Sequence, residues 1–352
     1  MKKFFSVLAV ALLLLFLTAC GDEDTGADSN DAAEGGDSGD AGEEVIVDED
    51  AMTIAVVPKL VGIPYFNASE TGAIEAGEEL GVNVIYTGPT EADAAQQVSV
   101  IEDLISRGVD VIAVAPNDPE SLTPVLERAK EEGIIVVDWD TPADQSVVDL
   151  SIRQIDDQQF GEHMMDALVE SMGTDEGDIA ILTGGLSAAN LNSWIDAAEA
   201  TIEEKYPNIN VIQDRIPTDE RQQEAYQITL DLLRANPDLE GVLAVSTPAP
   251  LGAAQAVQER DLNDEVSVVG SALPTDSGPF LEDGSLDVAS LWNPEHLGYL
   301  TVYLSKELVN GNNPQDGDVI ADEIGPIEVQ DKIVIMGPPV DYTVDNYAGF
   351  DF

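Results

Sequence analysis

The feature that most constrains the fold is an alternation of short β-branched segments with longer amphipathic ones, which continues from residue 52 almost to the end of the chain. Short, continuously apolar segments are typical of strands buried on both faces of a parallel sheet. Several of the amphipathic segments are followed by a glycine, as at Gly81, Gly108 and Gly133, which is typical of helices. The alternation therefore predicts repeated strand–helix units and an α/β fold.

The units form two series, which predicts two doubly wound parallel-sheet lobes. The first series has predicted strands at 53–57, 82–86, 109–115 and 134–138, with helices at 69–80, 94–107 and 119–132. The second has strands at 178–183, 210–213, 241–246, 266–270 and 287–292, with helices at 190–206, 219–235, 249–260 and 294–309. We expect lobe 1 to contain 52–154 and 294–332, and lobe 2 to contain 155–293 and 333–352, joined by several short hinge crossings.

The start of the chain predicts export. Two lysines precede an apolar segment over residues 4–17, which indicates a signal peptide over residues 1–20. Small residues precede Cys20, the only cysteine, and resemble the site at which lipoproteins are cleaved and acylated. The alternative is an unmodified thiol within a discarded leader. We expect Cys20 to carry a lipid and the protein to be anchored outside the cytoplasm on the cell membrane, periplasmic or outer-face.

Acidic residues dominate the rest of the chain. Residues 21–51 contain thirteen Asp or Glu and no Lys or Arg, which predicts a disordered tether. The whole sequence has 69 acidic and 14 basic residues. This charge opposes binding to nucleic acid and to anionic membrane surfaces. Because the screening length falls to about 3 Å near 1 M salt, the charge also suggests a salt-loving source organism.

Motifs typical of enzymes with this fold are missing from the sequence. It contains no G-x-G-x-x-G, Walker A or G-x-S-x-G pattern. The only two histidines, His163 and His296, lie near the starts of helices and are interpreted as helix-surface residues. We therefore expect no catalysis, no cofactor and no metal site, with an exported α/β sugar enzyme as a distant alternative.

Polar and aromatic residues gather where the predicted strands end. Ligands of open α/β sheets bind outside the carboxyl ends of the strands, so two facing sheets form a cleft that hinge motion can close. Carboxylates, amides and an ammonium group suit sugar hydroxyls, and aromatic faces cover the apolar side of a sugar ring. The candidate binding residues are Lys59, Tyr65, Phe66, Asn117, Asp118, Asp140, Asn190, Asn192, Thr247, Trp292 and Asn293.

Structural roles are the alternative for most of these residues. Asn117, Asp118, Asn190 and Asn192 are also suited to capping helices, and Asp140 to capping a turn before Pro142. Tyr65, Phe66 and Trp292 are equally compatible with ordinary core packing. Lys59 is compatible with a solvated strand end, although it interrupts an apolar strand.

Residues 52–352 resemble the type I periplasmic-binding-protein family of sugar importers, specifically its rhamnose and autoinducer-2 branch. The resemblance rests on five segments: Pro58-Lys59-Leu60-Val61-Gly62, Gly88-Pro89-Thr90, Trp139-Asp140, Leu291-Trp292-Asn293 and Phe350-Asp351-Phe352. It implies a substrate-binding lipoprotein of an ABC importer, whose partners are a small sugar and a permease. We expect such a protein to be a monomer.

The resemblance also implies roles for single residues. Lys59 is expected to donate to ligand hydroxyls, and Asp140 to accept from two of them. The autoinducer-2 receptors have Asp-Gln where this chain has Asn190-Leu191, and Pro and Ala where it has Val245 and Thr247. They have Asp at the position of Asn293, whereas Leu-Trp-Asn-Pro is closer to the rhamnose-type members. These departures favour a rhamnose-like or other neutral monosaccharide, with autoinducer-2 as the alternative ligand.

Overall fold

A computed structural model describes residues 43–48 and 50–352 of the chain. The predicted signal peptide, Cys20 and most of the predicted tether lie outside these residues. The described end of the tether corrects our expectation of disorder, because Glu44–Val45 forms a short strand. Within the described ranges, no helix is long and apolar enough to cross a membrane.

Strands and helices alternate along most of the described chain. The strands are β1 (Glu44–Val45), β2 (Thr53–Val57), β3 (Asn83–Tyr86), β4 (Val111–Val114), β5 (Ile135–Trp139), β6 (Leu150–Arg153), β7 (Glu176–Thr183), β8 (Asn208–Pro217), β9 (Leu239–Ala244), β10 (Ser267–Gly270), β11 (Val288–Leu291), β12 (Glu328–Gln330), β13 (Ile333–Ile335) and β14 (Val340–Tyr342). The helices are α1 (Pro64–Leu80), α2 (Ala94–Arg107), α3 (Pro119–Glu131), α4 (Asp157–Met172), α5 (Ala189–Lys205), α6 (Gln222–Ala235), α7 (Pro248–Arg260), α8 (Pro274–Asp283) and α9 (Pro294–Val309), and a 3₁₀ helix covers Tyr347–Gly349.

The strands form two sheets, which confirms the predicted α/β class with two parallel-sheet lobes. The first sheet has the order β1-β3-β2-β4-β5-β6-β13-β12, and only its two edge pairs, β1 with β3 and β12 with β13, are antiparallel. The second sheet has the order β14-β11-β10-β9-β7-β8, with an antiparallel pair of β11 and β14 at one edge. The central strands are buried along most of their length, as expected for sheets covered by helices on both faces.

The ends of several helices follow local sequence signals. Asp93 and Asp156 accept hydrogen bonds from the backbone of the first turns of α2 and α4. Gly81 and Gly108 end α1 and α2 in the left-handed conformation, as predicted. Helix α1 begins at Pro64, five residues before the predicted start, because a proline fits the first helical position, whose N–H has no partner inside the helix.

The chain crosses between the sheets at three places. It passes from β6 into α4, returns from β11 into α9, and passes again from β13 to β14. The expected boundary at residue 333 is wrong, because β13 pairs with β6 in the first sheet. The last crossing therefore lies between Ile335 and Val340.

Helix α9 returns to the first sheet and packs closely against α1. A Cβ atom on Gly72 would lie 1.8 Å from the backbone oxygen of Glu295, and one on Gly298 would lie 1.9 Å from that of Ser69. Only glycine fits at these two positions, since the obstacle is backbone. This contact fixes α1, whose first turn carries Tyr65 and Phe66 toward the space between the sheets.

Candidate ligand-binding site

A small cavity lies between the two sheets, at the carboxyl ends of their strands. Its lining consists of Lys59, Ile63, Tyr65, Phe66, Asp140, Asn190, Leu191, Trp194, Glu220, Val245, Ser246, Thr247, Ser271, Leu291 and Trp292. The cavity volume is about 30 Å³, which is room for roughly two water molecules. A monosaccharide is larger, so the side chains must move apart to admit one.

Lys59, Asp140 and Asn190 join the two lobes across this cavity. The Lys59 ammonium donates to Asn190 Oδ1 at 2.9 Å and lies 3.3 Å from Asp140 Oδ2. The Asn190 amide donates to Asp140 Oδ2 at 3.3 Å. All three side chains are buried, so each polar group must be paired to offset its loss of water. A ligand hydroxyl that replaces one of these mutual contacts would find a donor or acceptor already in position.

Asp140 is held by its own lobe as well. Tyr65 donates its hydroxyl to Oδ1 at 2.7 Å, and Thr141 donates to Oδ2 at 2.9 Å. Burial and the Asp140 carboxylate raise the pKa of Tyr65 well above its usual value, so Tyr65 remains a hydroxyl donor. The backbone of Asp140 is left-handed, with φ 60°, and its N–H donates to Ile152 O at 3.1 Å. A strained backbone that the surroundings hold in place is common in binding sites.

Aromatic rings form one wall of the cavity. The Trp292 ring meets those of Tyr65 and Trp194 edge-to-face, with centroids 6.1 and 5.8 Å apart. Trp292 Nε1 also donates to the Tyr65 hydroxyl at 3.1 Å. Edge-to-face contacts and a hydrogen bond together fix the ring orientations. The wall therefore offers an apolar surface beside the polar network.

The half-buried carboxylate of Asp157, in the second lobe, contacts the ring of Trp194 in this wall. Trp194 Nε1 donates to Asp157 Oδ1 at 2.6 Å. Burial raises the pKa of Asp157 to about 6, although the hydrogen bond from Trp194 acts in the opposite direction. Asp157 begins α4, directly after the first crossing between the sheets.

A buried ion pair lies on the β5 and β6 strands of the first sheet. Arg153 Nη1 lies 3.2 Å from Asp138 Oδ1, and the backbone N–H of Ala143 donates to Asp138 Oδ2 at 2.8 Å. Burial raises the pKa of Asp138, while Arg153 lowers it. Arg153 pairs here within the first sheet and does not line the cavity.

Seven of the predicted site residues line the cavity: Lys59, Tyr65, Phe66, Asp140, Asn190, Thr247 and Trp292. Their positions along the sequence differ by more than two hundred residues, and the carboxyl ends of the two sheets bring them together.

The other four predicted residues, Asn117, Asp118, Asn192 and Asn293, do not line this cavity. Asn117 donates to the Lys59 backbone oxygen at 2.7 Å and so holds the loop that carries this lysine. Asp118 and Asn293 cap α3 and α9. Asn192 donates to Leu186 O at 2.9 Å. Three of the four are thus explained by local turn and helix-end geometry, which competes with ligand contact for the same residue types.

The sequence prediction missed Glu220, Ser246 and Trp194 as lining residues. Glu220 was placed inside a helix expected from residue 219, whereas α6 begins at Gln222. Asp219 and Glu220 instead have left-handed backbones, with φ 52° and 55°, and no glycine marks the turn. Trp194 and Ser246 lie close to the predicted residues Asn192 and Thr247 in the same strand-end segments, and their position in these segments was the signal that could have found them.

Charges in the lining are uneven. Lys59 is its single cation, while Asp140 and Glu220 are both carboxylic acids. Burial raises the pKa of Glu220, Lys59 lowers it, and Asp140 raises it further. Among the described residues there is no group of three or more His, Cys, Asp or Glu arranged to hold a metal ion. The lining therefore combines hydrogen-bond donors and acceptors with an aromatic wall.

Comparison with known proteins places this chain in one family. The model of the periplasmic binding protein domain matches residues 54–313. A solute-binding protein of an ABC transporter from Clostridium phytofermentas with bound L-rhamnose is 29% identical, with a TM-score of 0.80 over 85% of this chain and 98% of that one. LsrB from Clostridium saccharobutylicum in complex with AI-2 is 26% identical, with a TM-score of 0.80 over 86% of this chain and all of that one. The ribose import binding protein RbsB of Bacillus subtilis is 25% identical over 90% of this chain and 96% of its own length.

Proposed function

This chain belongs to the periplasmic binding protein family, and from that premise we propose that it is the extracytoplasmic receptor of an ABC importer for a neutral monosaccharide. The observation that carries the proposal is the buried network of Lys59, Asp140 and Asn190. It joins the two lobes at the point where a ligand would contact both. A ligand with several hydroxyls can replace these mutual contacts without leaving any partner unpaired.

The proposed mechanism is cleft closure without chemistry. The three crossings between the sheets act as the hinge, so a ligand that contacts both lobes favours the closed arrangement. The affinity comes from a few hydroxyl hydrogen bonds and an aromatic surface in a site closed to water. A permease then recognises the closed form. Turnover of a bound sugar that is lost in Asp140→Asn would instead support an enzyme.

The side chains of the second lobe favour a rhamnose-like or other neutral sugar. Four positions that distinguish this chain from the autoinducer-2 receptors it resembles line the cavity: Asn190, Leu191, Val245 and Thr247. Leu191 and Val245 are apolar, and an apolar surface suits the methyl group of a deoxyhexose better than a further hydroxyl. The similar protein from Clostridium phytofermentas was solved with L-rhamnose.

Autoinducer-2 is the second candidate ligand, because the similar protein LsrB from Clostridium saccharobutylicum was solved in complex with AI-2. If the pocket otherwise matches that of the autoinducer-2 receptors, replacing Asn190-Leu191 by Asp-Gln should improve autoinducer-2 binding, and no gain would count against this candidate. If a neutral sugar is the ligand, the same replacement should lower affinity for the sugar.

We also propose that the mature chain is held at the membrane by a lipid on Cys20 and is otherwise a monomer. A single acyl chain anchors only weakly and lipoproteins carry more than one, so the anchor does not require a spanning helix. Cys20→Ala in the producing cell should move the protein from the membrane fraction to the soluble one. Retention on the membrane would argue against lipidation.

The acidic composition supports a high-salt habitat. With a formal net charge of −55, repulsion across the surface is relieved when the screening length becomes short. The unfolding temperature should therefore rise steadily as the NaCl concentration is raised from 0.1 to 2 M. An unfolding temperature independent of NaCl would contradict this.

The direct test of the receptor function is a thermal-shift and calorimetric screen of the chain in high salt against L-rhamnose, D-ribose, D-allose and autoinducer-2. Binding to the folded state alone stabilises by about 2.7 kcal/mol at one hundred times the dissociation constant. We expect a clear shift with at least one neutral sugar. No shift with any sugar or with autoinducer-2 would overturn the proposed function.

A further inference from the structure

Glu220 lies in a turn that the second sheet holds firmly in place. The turn follows β8, and the N–H groups of Thr218 and Asp219 donate to backbone oxygens at the end of β7, to Thr183 at 2.8 Å and to Gly184 at 2.9 Å. Thr218 also donates its hydroxyl to Thr183 O at 2.9 Å. Glu220 therefore has a fixed position at the carboxyl end of the sheet.

The backbone around Glu220 is strained. Asp219 and Glu220 are consecutive residues with left-handed φ angles, which costs on the order of 1–3 kcal/mol for each residue and persists only where the surroundings impose it. Gly184 leaves room for the Glu220 side chain in its present direction, because a Cβ there would lie 2.0 Å from the Glu220 carboxylate. These backbone angles direct the Glu220 carboxylate into the cavity. The turn itself does not require a carboxylate at this position.

The hydrogen bonding of this corner is incomplete. Ser246 is 3% exposed and lines the cavity, yet its hydroxyl has no hydrogen-bond partner among the described residues. It is close enough to lower the pKa of the 8% exposed Glu220, but the pair does not meet the geometry of a full hydrogen bond. Buried polar groups in folded proteins are nearly always paired, so the unpartnered Ser246 hydroxyl beside a buried carboxyl group indicates a missing partner at this corner.

The partner that an ionised Glu220 requires is a hydrogen-bond donor. Glu220 accepts hydrogen bonds when ionised, and Ser246 can both donate and accept. The single cation of the lining, Lys59, already serves Asp140 and Asn190 across the cavity. A ligand that brought an anionic group to this corner would face an uncompensated carboxylate in a buried site, where like charges repel strongly.

We propose that Glu220, with Ser246 beside it, is the specificity-determining contact of the second lobe, which accepts hydrogen bonds from ligand hydroxyls and excludes sugars that carry a carboxylate. This inference rests on the proposed receptor function and deepens it, since it names neutral, hydroxyl-donating sugars as the ligand class and sugar acids as the rejected class.

The test is isothermal titration of the full chain and its variants with L-rhamnose, D-ribose, D-galactose and D-galacturonate. D-galactose and D-galacturonate differ only by a hydroxymethyl group and a carboxylate. The variants are Glu220→Gln, Ser246→Ala and the control Asp219→Asn, which removes the neighbouring exposed acid of the same turn. Thermal unfolding of each variant shows whether it folds.

The wild type should bind at least one of the three neutral sugars and bind D-galacturonate at least about 100-fold more weakly. Glu220→Gln should lower the affinity for the neutral sugar by about 10-fold or more, and it should reduce the ratio of this affinity to that for D-galacturonate. Ser246→Ala should lower the affinity for the neutral sugar by a few-fold. If Glu220→Gln does not fold, Ser246→Ala alone tests the inference. Asp219→Asn should match the wild type.

An unchanged affinity and an unchanged preference in both Glu220→Gln and Ser246→Ala would overturn the inference while leaving the receptor function intact. Tight binding of D-galacturonate by the wild type would also overturn it. Failure of the wild type and of Asp219→Asn to bind any of the sugars would overturn the receptor function itself, so the two failures are distinguishable.

Discussion

The two lobes supply opposite kinds of polar surface to the same cavity. In the first lobe Asp140 receives hydrogen bonds from Tyr65 and Thr141 and lies beside Lys59, so each group already has a partner. In the second lobe the Ser246 hydroxyl has no hydrogen-bond partner among the described residues, and it lies beside the buried carboxyl group of Glu220. Asn190 is the exception in the second lobe, because it is paired with the first lobe across the cavity.

This difference predicts different roles for the two lobes in ligand binding. A fully paired network is rigid and presents its donors and acceptors in one arrangement, which lowers the ordering cost of binding. Unpaired groups in a closed site penalise any ligand that cannot satisfy them, which discriminates between ligands. Under the proposed function, the first lobe would therefore anchor the sugar, and the second lobe would decide which sugar is retained.

The largest effect is expected from breaking the anchor. Asp140→Asn leaves Lys59 buried beside a neutral amide, and it leaves one oxygen to accept the hydrogen bonds from Tyr65, Thr141 and Asn190 that the two carboxylate oxygens now share. We expect affinity for the bound sugar to fall at least about 100-fold and the free energy of unfolding to fall by about 3 kcal/mol. Titration calorimetry and urea unfolding measure the two quantities.

The control for this variant is Glu102→Gln, the same carboxylate-to-amide change in an exposed ion pair of the first lobe, where Arg128 lies 2.6 Å away. It should change stability by less than about 1 kcal/mol. Equal losses of affinity in Asp140→Asn and Glu220→Gln would remove the distinction between an anchoring and a selecting lobe.

Gly298→Ala tests whether the rigidity of the first lobe comes from helix packing. The new methyl would meet the backbone of α1 at 1.9 Å, and backbone cannot move aside cheaply. We expect a loss of about 2–3 kcal/mol in unfolding free energy, with weaker sugar binding because α1 carries Tyr65. Gly349→Ala, where a Cβ meets nothing within 4 Å, is the control. A stable Gly298→Ala with unaltered binding would contradict this account.

Asp157→Asn tests the poorly paired carboxylate of the second lobe through pH. Its pKa is raised to about 6, so the protonated acid is favoured in the folded state. The stability that this group contributes is therefore fully present below about pH 4 and is lost as the pH rises through about 6. The asparagine keeps the oxygen that Trp194 donates to and carries no charge.

The difference in unfolding free energy between Asp157→Asn and the wild type should accordingly be near zero at pH 4 and should reach about 2 kcal/mol in favour of the variant at pH 7.5. Denaturant unfolding across this pH range measures it. A difference that did not grow with pH, or that favoured the wild type at pH 7.5, would show that Asp157 is well paired after all.

Gly184→Ala should give the smallest effect. The new methyl would meet only the far end of the Glu220 side chain, which can rotate, so the unfolding free energy should change by less than about 1 kcal/mol. Displacement of Glu220 should lower sugar affinity by a few-fold. Gly185→Ala, where a Cβ meets nothing within 4 Å, should leave affinity unchanged. Equal binding by both variants would mean that the position of Glu220 does not matter.

Much of the fold and the centre of the site could be predicted from the sequence. The alternation of strand and helix patterns is a local property of the chain, and it located β2, α2 and α9 closely. Lys59 and Asp140 were found because a charged residue at the end of an apolar strand is unusual and because the topology of parallel sheets brings such ends together.

Elements that depend on distant contacts were not predictable in this way. Helix α8 contains Gly278 and Pro279, which read locally as a turn, and β13 joins the first sheet only because β6 offers it an edge. The roles of Asn117 and Asn293 were likewise undecided, since capping and ligand contact favour the same amide side chains.

The sequence by itself determined the periodicity, the sheet class and the chemistry available at the strand ends, because these follow from residues near one another along the chain. Only the tertiary structure decided which polar groups are paired, since Asn190 meets Lys59 from 131 positions away and Ser246 meets no full partner. Glu220 shows the reason most directly: its inward direction comes from left-handed backbone angles imposed by the end of β7, and no local sequence signal encodes that constraint.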